Sequence, residues 1–400
     1  MPPKWPRWRS GASAIARSSS SPPDALRVAF LTPCYWPEVR RGGERLVHEL
    51  ATGLAARGHR ARLITAHRGR PSRTTEDGVE VIRHWRPPDR RLRRRRLEDH
   101  LSHVAMSYVT LAAGDDDVAQ ALYVTDALAA ARWSERTGRP SILTYLGIPD
   151  RSGLTARRRR LEITVRAARG CTAVTAVSQY AADAFMRWLG VDARAIYPPV
   201  DLERFQPGAE KAEAPTVFCA ASVEEPHKRV GLLLEAFGLV RRERPGARLV
   251  LLRPRDARLA AELRAAEPGV ELVDDDPAVL APSYSAAWVT ALTSVGEAFG
   301  LVLAESLACG TPVVGSRHGG IPEIVDSPAV GRVFADDDAS TVARALLEAL
   351  ELREDAGTAA ATRARAEQFS TARCVEAHER LYAELLATVP ASGSGRAGRR

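Results

Sequence analysis

Apolar residues along the first half of the chain gather in short runs separated by longer stretches of helical period. The run LRVAFLT (26–32) predicts a buried strand. A loop holding Gly42 and Gly43 follows, then a helix from Glu44 to Ala56 closed by Arg57-Gly58-His59, then the strand ARLITA (61–66). That order requires a parallel pair with a crossover helix, and it sets the helix N-terminus beside the end of the first strand. More strands are predicted at 141–147, 171–178 and 193–201. Beyond a charged stretch rich in Pro, Ala and Gly at 206–215, a second series is predicted at 216–222, 247–253, 270–274, 288–293, 311–316 and 331–335. The fold class is therefore α/β, with two doubly wound domains. In such sheets ligands sit beyond the carboxyl ends of the strands, so two facing domains would share one cleft.

One stretch of the second series breaks its own pattern. GEAFGLVLAESLACGTPVVGSRHGGIPEIV (296–325) predicts a short helix from Gly300 to Cys309, ended by Gly310 and Thr311-Pro312, yet Glu305 stands inside it. Its helical neighbours Leu301, Val302, Ala308 and Cys309 cannot pair with a charge. Burial of an unpaired carboxylate costs several kcal/mol, so a hydroxyl, an amide or a ligand is expected to meet it. Glu297 precedes the helix start, where free backbone N–H groups favour an anion. A site for something bearing both hydroxyls and negative charge fits this pattern. The plainer alternative makes Glu305 a helix-surface residue and Glu297 an N-terminal charge.

Charge divides the chain. Residues 1–200 hold 34 Lys and Arg against 19 Asp and Glu, whereas 201–400 hold 23 against 30, giving +15 and −7. Two runs, RRLRRRR (90–96) and RRRR (157–160), supply much of the excess, and each is followed by a helical pattern. They suit contact with anionic lipid or a phosphorylated acceptor, or simply form a solvated face. Nucleic acid is not an expected partner, since aromatic interleaving and a known motif are both missing. No apolar run reaches the roughly 18 residues of a spanning helix, and the first 24 residues lack the apolar core of a signal peptide. Five scattered cysteines show no metal spacing and suggest a reduced, cytoplasmic protein. DDD at 115–117, 274–276 and 336–338 reads each time as a loop or helix-start cluster, so no metal is expected.

Several ordered motifs carry a resemblance from about Arg27 to Glu384. They are GGERLVHELATGLAARGH (42–59), AVSQYAADAF (176–185), IYPPVDLERFQP (196–207), HKRVGLLLEAF (227–237) and EAFGLVLAESLACGTPVV (297–314) followed by GGIPEIV (319–325). This chain resembles the retaining glycosyltransferases of family 4, with GT-B architecture: two facing Rossmann-like domains and a C-terminal helix returning to the first. Composition, basic and rich in Ser and Pro, marks 1–24 as a disordered tail and 389–400 as a basic tail; the resemblance implies an acceptor-side domain at 25–203, a nucleotide-sugar domain at 204–370 and a bracing helix at 371–388. It implies that Glu305 accepts hydrogen bonds from the donor ribose and that Glu297 lies near the transferred sugar. Backbone amides of Phe299, Gly300 and Leu301 would contact sugar or diphosphate, Lys228 would neutralise the diphosphate, and Gly42 and Gly43 would close over it from the other domain. The implied reaction is transfer to an unidentified acceptor hydroxyl by front-face displacement, with the nucleotide-diphosphate sugar as co-substrate and no other cofactor. Residue types alone also allow Lys228 to be a surface lysine, though a cation fits a helix start poorly, and they favour reading the Gly42-Gly43 loop as a flexible turn.

Some positions depart from the family's pattern. Ser222 stands near an expected phosphate-binding arginine, with Arg229 or Arg253 as replacements, and Leu146 stands for a histidine facing the donor sugar. Arg253 and the acidic VDDD (273–276) fall where the base pocket is built, so the pattern does not choose the nucleotide. These losses keep two alternatives open: a pseudo-glycosyltransferase that binds without ordinary transfer, and a membrane-peripheral scaffold with a relict cleft.

Overall fold

The apolar runs pair into two largely parallel sheets. The computed structural model describes residues 25–39, 41–208 and 210–389; the tails expected at 1–24 and, but for Val389, at 389–400 lie outside the described residues. The first sheet contains β1 (Arg27–Leu31), β2 (Arg60–His67), β3 (Ser72–Glu76), β4 (Val79–Trp85), β5 (Val118–Ala121), β6 (Ser141–Tyr145), β7 (Ala173–Ala176) and β8 (Arg194–Ala195), in the order β3-β4-β2-β1-β5-β6-β7-β8. Only β3 runs antiparallel to its neighbour. The second contains β9 (Thr216–Cys219), β10 (Arg248–Leu252), β11 (Val270–Val273), β12 (Val289–Leu292), β13 (Val313–Ser316) and β14 (Gly331–Phe334), ordered β11-β10-β9-β12-β13-β14. Central strands such as β9 and β12 are buried along their whole length, which is why they read as near-continuous apolar runs. Strand order reverses beside β1 in one sheet and beside β9 in the other, opening a crevice at the carboxyl end of each.

Three strands were not expected from the sequence, and one expected strand shrinks. β3 is a polar edge strand, joined to β4 through Asp77-Gly78, both with positive φ. β5 is four residues long behind Asp115, Asp116 and Asp117, whose carboxylates are taken up by Arg27 and Arg62. The strand expected over 193–201 is reduced to Arg194–Ala195, because Pro198 and Pro199 have no N–H to give a ladder. Val200 then makes a single bridge to Ser370.

The final helix, Thr371–Ala387, lies on the first sheet's side of the molecule against the helix Gly42–Ala56. Gly53 permits this approach, since a Cβ there would stand 2.7 Å from Val375 Cγ2. Glu379 accepts from Arg57 at 2.6 Å and lies 3.0 Å from His59 Nε2. Deeper in, the Tyr382 hydroxyl donates to Gln120 Oε1, the Gln120 amide donates to Thr144 Oγ1 at 2.7 Å, and Thr144 meets the Thr175 hydroxyl at 2.8 Å. This polar chain runs across β5, β6 and β7 and is wholly buried. Tyr382→Phe leaves the Gln120 carbonyl oxygen unmet, and should lower unfolding stability by roughly 1–3 kcal/mol in urea titration. An unchanged midpoint would show that the helix does not secure the sheet through this chain.

Candidate functional site

The segment between β12 and the helix Leu301–Ala308 turns on two glycines with positive φ, Gly296 (φ 70) and Gly300 (φ 105). A second pair, Gly319 and Gly320, seats on this turn from the far side. The Gly320 N–H donates to the Glu297 carbonyl at 2.9 Å, a Cβ on Gly319 would stand 1.9 Å from that oxygen, and one on Gly320 would stand 2.4 Å from the Ala298 carbonyl. Both positions therefore require glycine. The Glu297 side chain, so fixed, receives the Lys228 ammonium at 2.6 Å. Lys228 ends the single turn Pro226–Lys228, whose carbonyl accepts from the Thr293 hydroxyl at 2.9 Å.

Arg229 follows with φ 51 and is committed locally. Its Nε donates to the Thr293 carbonyl at 2.7 Å and its Nη1 pairs with Asp337 at 2.7 Å. The hydrogen bond from Arg229 holds the Asp337 carboxyl below the usual range. Ser222 lies on the loop beyond β9 and brings a hydroxyl without charge. Arg253 pairs with Asp274 at 2.7 Å, so two of the departures from the family pattern, on the adjacent strand ends of β10 and β11, answer each other. Gly42 and Gly43 face the second domain and the first strand ends respectively. A Cβ on Gly42 would stand 3.4 Å from Leu301 Cδ1, and one on Gly43 would stand 2.6 Å from Leu146 Cδ1.

Glu305 is only 2% exposed, and the structure supplies its partners. The Tyr284 hydroxyl donates to Oε2 at 2.9 Å, while the Arg45 guanidinium pairs with Oε1. Arg45 belongs to the helix Gly42–Ala56 of the first domain, so this ion pair crosses the cleft. It also lies over the Phe205 ring, 5.5 Å from the centroid, and 3.6 Å from Glu49. A second crossing contact comes from Glu323, whose two oxygens accept the backbone N–H groups of Gln179 at 2.8 Å and Tyr180 at 2.7 Å. Those amides open the helix Gln179–Leu189, where a carboxylate meets the positive end of the helix dipole. Neither Arg45 nor Tyr284 was legible as a partner along the chain, though Gly42, Arg45 and Glu49 share one helical face. Glu323 was visible as part of a motif, without a role.

Burial pushes the Glu49 carboxyl up to about 7, against the pull of Arg45. An unfolded glutamate titrates near 4.3, so the folded chain holds more protons between roughly pH 4 and 7 and loses stability as pH rises through that window. Glu49→Gln removes this loss. The stability of the variant relative to wild type should rise from pH 4.5 to pH 8 by an amount on the order of 2–3 kcal/mol; a pH-independent difference in urea unfolding would refute the assignment.

Two facing doubly wound domains, a shared cleft at their strand ends and a last helix packed back on the first domain define the GT-B class of fold. The glycosyltransferase family 4 model matches residues 40–204, and the glycosyl transferases group 1 model matches residues 214–352. The chain belongs to this family of glycosyltransferases. It is 35% identical over 217 residues to D-inositol 3-phosphate glycosyltransferase of Saccharomonospora viridis, a match covering 48% of this chain and 50% of that one. The chain spans about half the length, or less, of the curated relatives it matches. Among solved structures, sucrose-phosphate synthase from Thermosynechococcus elongatus superposes with a TM-score of 0.77 at 21% identity, over 90% of this chain and 99% of that one. HepE of Anabaena, solved with UDP-glucose, gives 0.69 at 19% identity over the same shares. Among the described residues no helix is long and apolar enough to cross a membrane.

Proposed function

We propose that the chain moves a sugar from a nucleotide-diphosphate sugar to an acceptor hydroxyl, with retention of anomeric configuration. The observation that carries this reading is the stack at the end of β12: the Lys228–Glu297 pair above a glycine turn, with Glu305 buried on the helix that the turn opens. Family membership and the inositol-phosphate glycosyltransferase relative support it.

The chemistry follows from where charge develops. Cleavage of the anomeric bond puts negative charge on the diphosphate and positive charge on the sugar ring. Lys228 and the free amides opening the helix Leu301–Ala308 stabilise the first. Glu297, already neutralised by Lys228, orients sugar hydroxyls and is not an exposed nucleophile. Retention then comes from attack on the same face, with the leaving phosphate taking the acceptor's proton. Glu305 serves as acceptor for the donor ribose hydroxyls, which must compete with Arg45 for Oε1. This scheme needs no metal.

Titration of the purified chain with UDP and GDP, alongside Glu305→Ala, tests the donor site. One nucleotide should bind, and the variant should bind it roughly ten- to a hundredfold more weakly; equal affinity in the variant would place the ribose elsewhere. For the chemical step, Lys228→Ala should slow donor-dependent release of nucleoside diphosphate by roughly a hundredfold or more. Unchanged turnover in that variant would remove Lys228 from the mechanism.

A further inference from the structure

The two arginine runs converge. A cavity of about 970 Å³ opens at the carboxyl ends of β1, β4, β5 and β6, bounded there by Cys34, Arg86, Tyr123 and Leu146. Its wall takes Arg90, Arg93 and Arg94 from the first run and Arg157 and Arg160 from the second. Arg95, Arg96, Arg158 and Arg159 are not part of it. The runs are knitted to each other rather than splayed into solvent: the Arg158 N–H donates to the Arg96 carbonyl at 2.7 Å, and the Arg157 guanidinium to the Leu97 carbonyl at 3.0 Å.

The charge balance of this cavity is uneven. Eight arginines line it against three carboxylates, Asp89, Glu98 and Asp99. Each carboxylate is already engaged. Glu98 takes Arg160 through two bonds, at 2.7 and 3.0 Å, and Asp99 lies between Arg157 at 2.8 Å and Arg93 at 3.1 Å. Asp89 accepts the His100 N–H at 3.1 Å. Burial alone would raise the Asp99 carboxyl, yet hydrogen bonds from Arg157 and Arg93 outweigh it and hold the group below the usual range. Among the described residues, the guanidinium groups of Arg41, Arg90 and Arg94 line the cavity with no carboxylate in ion-pair distance, although the Arg41 backbone N–H donates to Glu44 at 3.2 Å.

Several unpaired guanidiniums along one concave wall focus positive potential into the cavity, and planar N–H forks match the oxygens of a phosphoryl group. Arg41 is the residue before the helix Gly42–Ala56, whose first residues Gly42 and Gly43 face the cleft, so an anion held here lies next to the cleft. We infer that this cavity binds a phosphoryl group of the acceptor, so that the sugar is transferred to a hydroxyl of a phosphorylated molecule. The inference rests on the glycosyl-transfer reading of the cleft. A phosphomonoester in solution and the phosphate of a lipid headgroup share this chemistry.

The test uses the full chain, the double variant Arg90→Gln/Arg94→Gln, the single variant Arg41→Gln and, as a control outside the cavity, Arg258→Gln. Calorimetric titration with inorganic phosphate and with glycerol 3-phosphate should give saturable binding to wild type and control. Binding should weaken at least tenfold in the double variant and measurably in Arg41→Gln, while glycerol does not bind. Absence of saturable phosphate binding, or equal affinity in the double variant, overturns the proposal. Titration with UDP and GDP separates it from the donor reading: nucleotide binding without phosphate binding defeats the anion site alone, and the reverse pattern defeats the donor site alone. Sedimentation with vesicles of phosphatidic acid in phosphatidylcholine distinguishes the sources. Vesicle binding lost in the double variant, with wild-type thermal unfolding, supports a headgroup in the anion site; no vesicle binding supports a soluble phosphomonoester.

Discussion

A carboxylate inside an apolar helix constrains the architecture of this cleft. Glu305 is almost fully buried, and it is tolerable because a tyrosine hydroxyl from its own domain and a guanidinium from the other domain meet it. That second partner makes the local problem a global one. Arg45 can reach Glu305 only while the helix Gly42–Ala56 faces the helix Leu301–Ala308 across the cleft, so the charge balance of one helix is tied to the relative placement of two sheets. Glu323, seated on the N-terminus of the helix Gln179–Leu189, adds a second tie of the same kind. The final helix fixes the geometry from behind through Tyr382 and Glu379.

This arrangement puts the polar groups of the site where binding must rearrange existing pairs. Lys228 holds Glu297, Arg45 holds Glu305 and Arg229 holds Asp337. A ligand entering the cleft has to replace these contacts with its own before it gains affinity. The glycines shape the same site from the backbone. Gly319 and Gly320 lie against the Glu297 and Ala298 carbonyls at distances no side chain allows, which fixes the turn.

Charge is sorted between the domains with similar economy. The first domain's arginines do not spread over a flat face; those that line the cavity are ordered by Glu98 and Asp99, leaving a few unpaired where the first and second runs meet. The acidic triplets are likewise structural. Asp115 and Asp117 hold Arg27, whereas Asp276 and Asp338 cap the helices Pro277–Ala286 and Ala339–Glu351.

Much of the fold was legible along the chain, because a buried parallel strand announces itself as an apolar run and a crossover helix by its period. The two-sheet architecture and most central strands follow from that alone. Where the signal is short or polar, as in β5 with VAQA or the edge strand β3 with SRTTE, it fails, since pairing with a neighbour decides the strand and not the residues' own pattern. The tandem prolines at 198–199 show the opposite error, an apolar segment denied a ladder by its missing N–H groups. That Glu305 needed a partner and that glycines would shape its turn could be read along the chain, because both follow from local chemistry. That Arg45 is that partner, that Arg253 answers Asp274, and that two arginine runs over sixty positions apart wall one cavity emerged from the folded chain alone. Those pairings join residues distant in sequence, and their energy exists only once the sheets have brought them within reach.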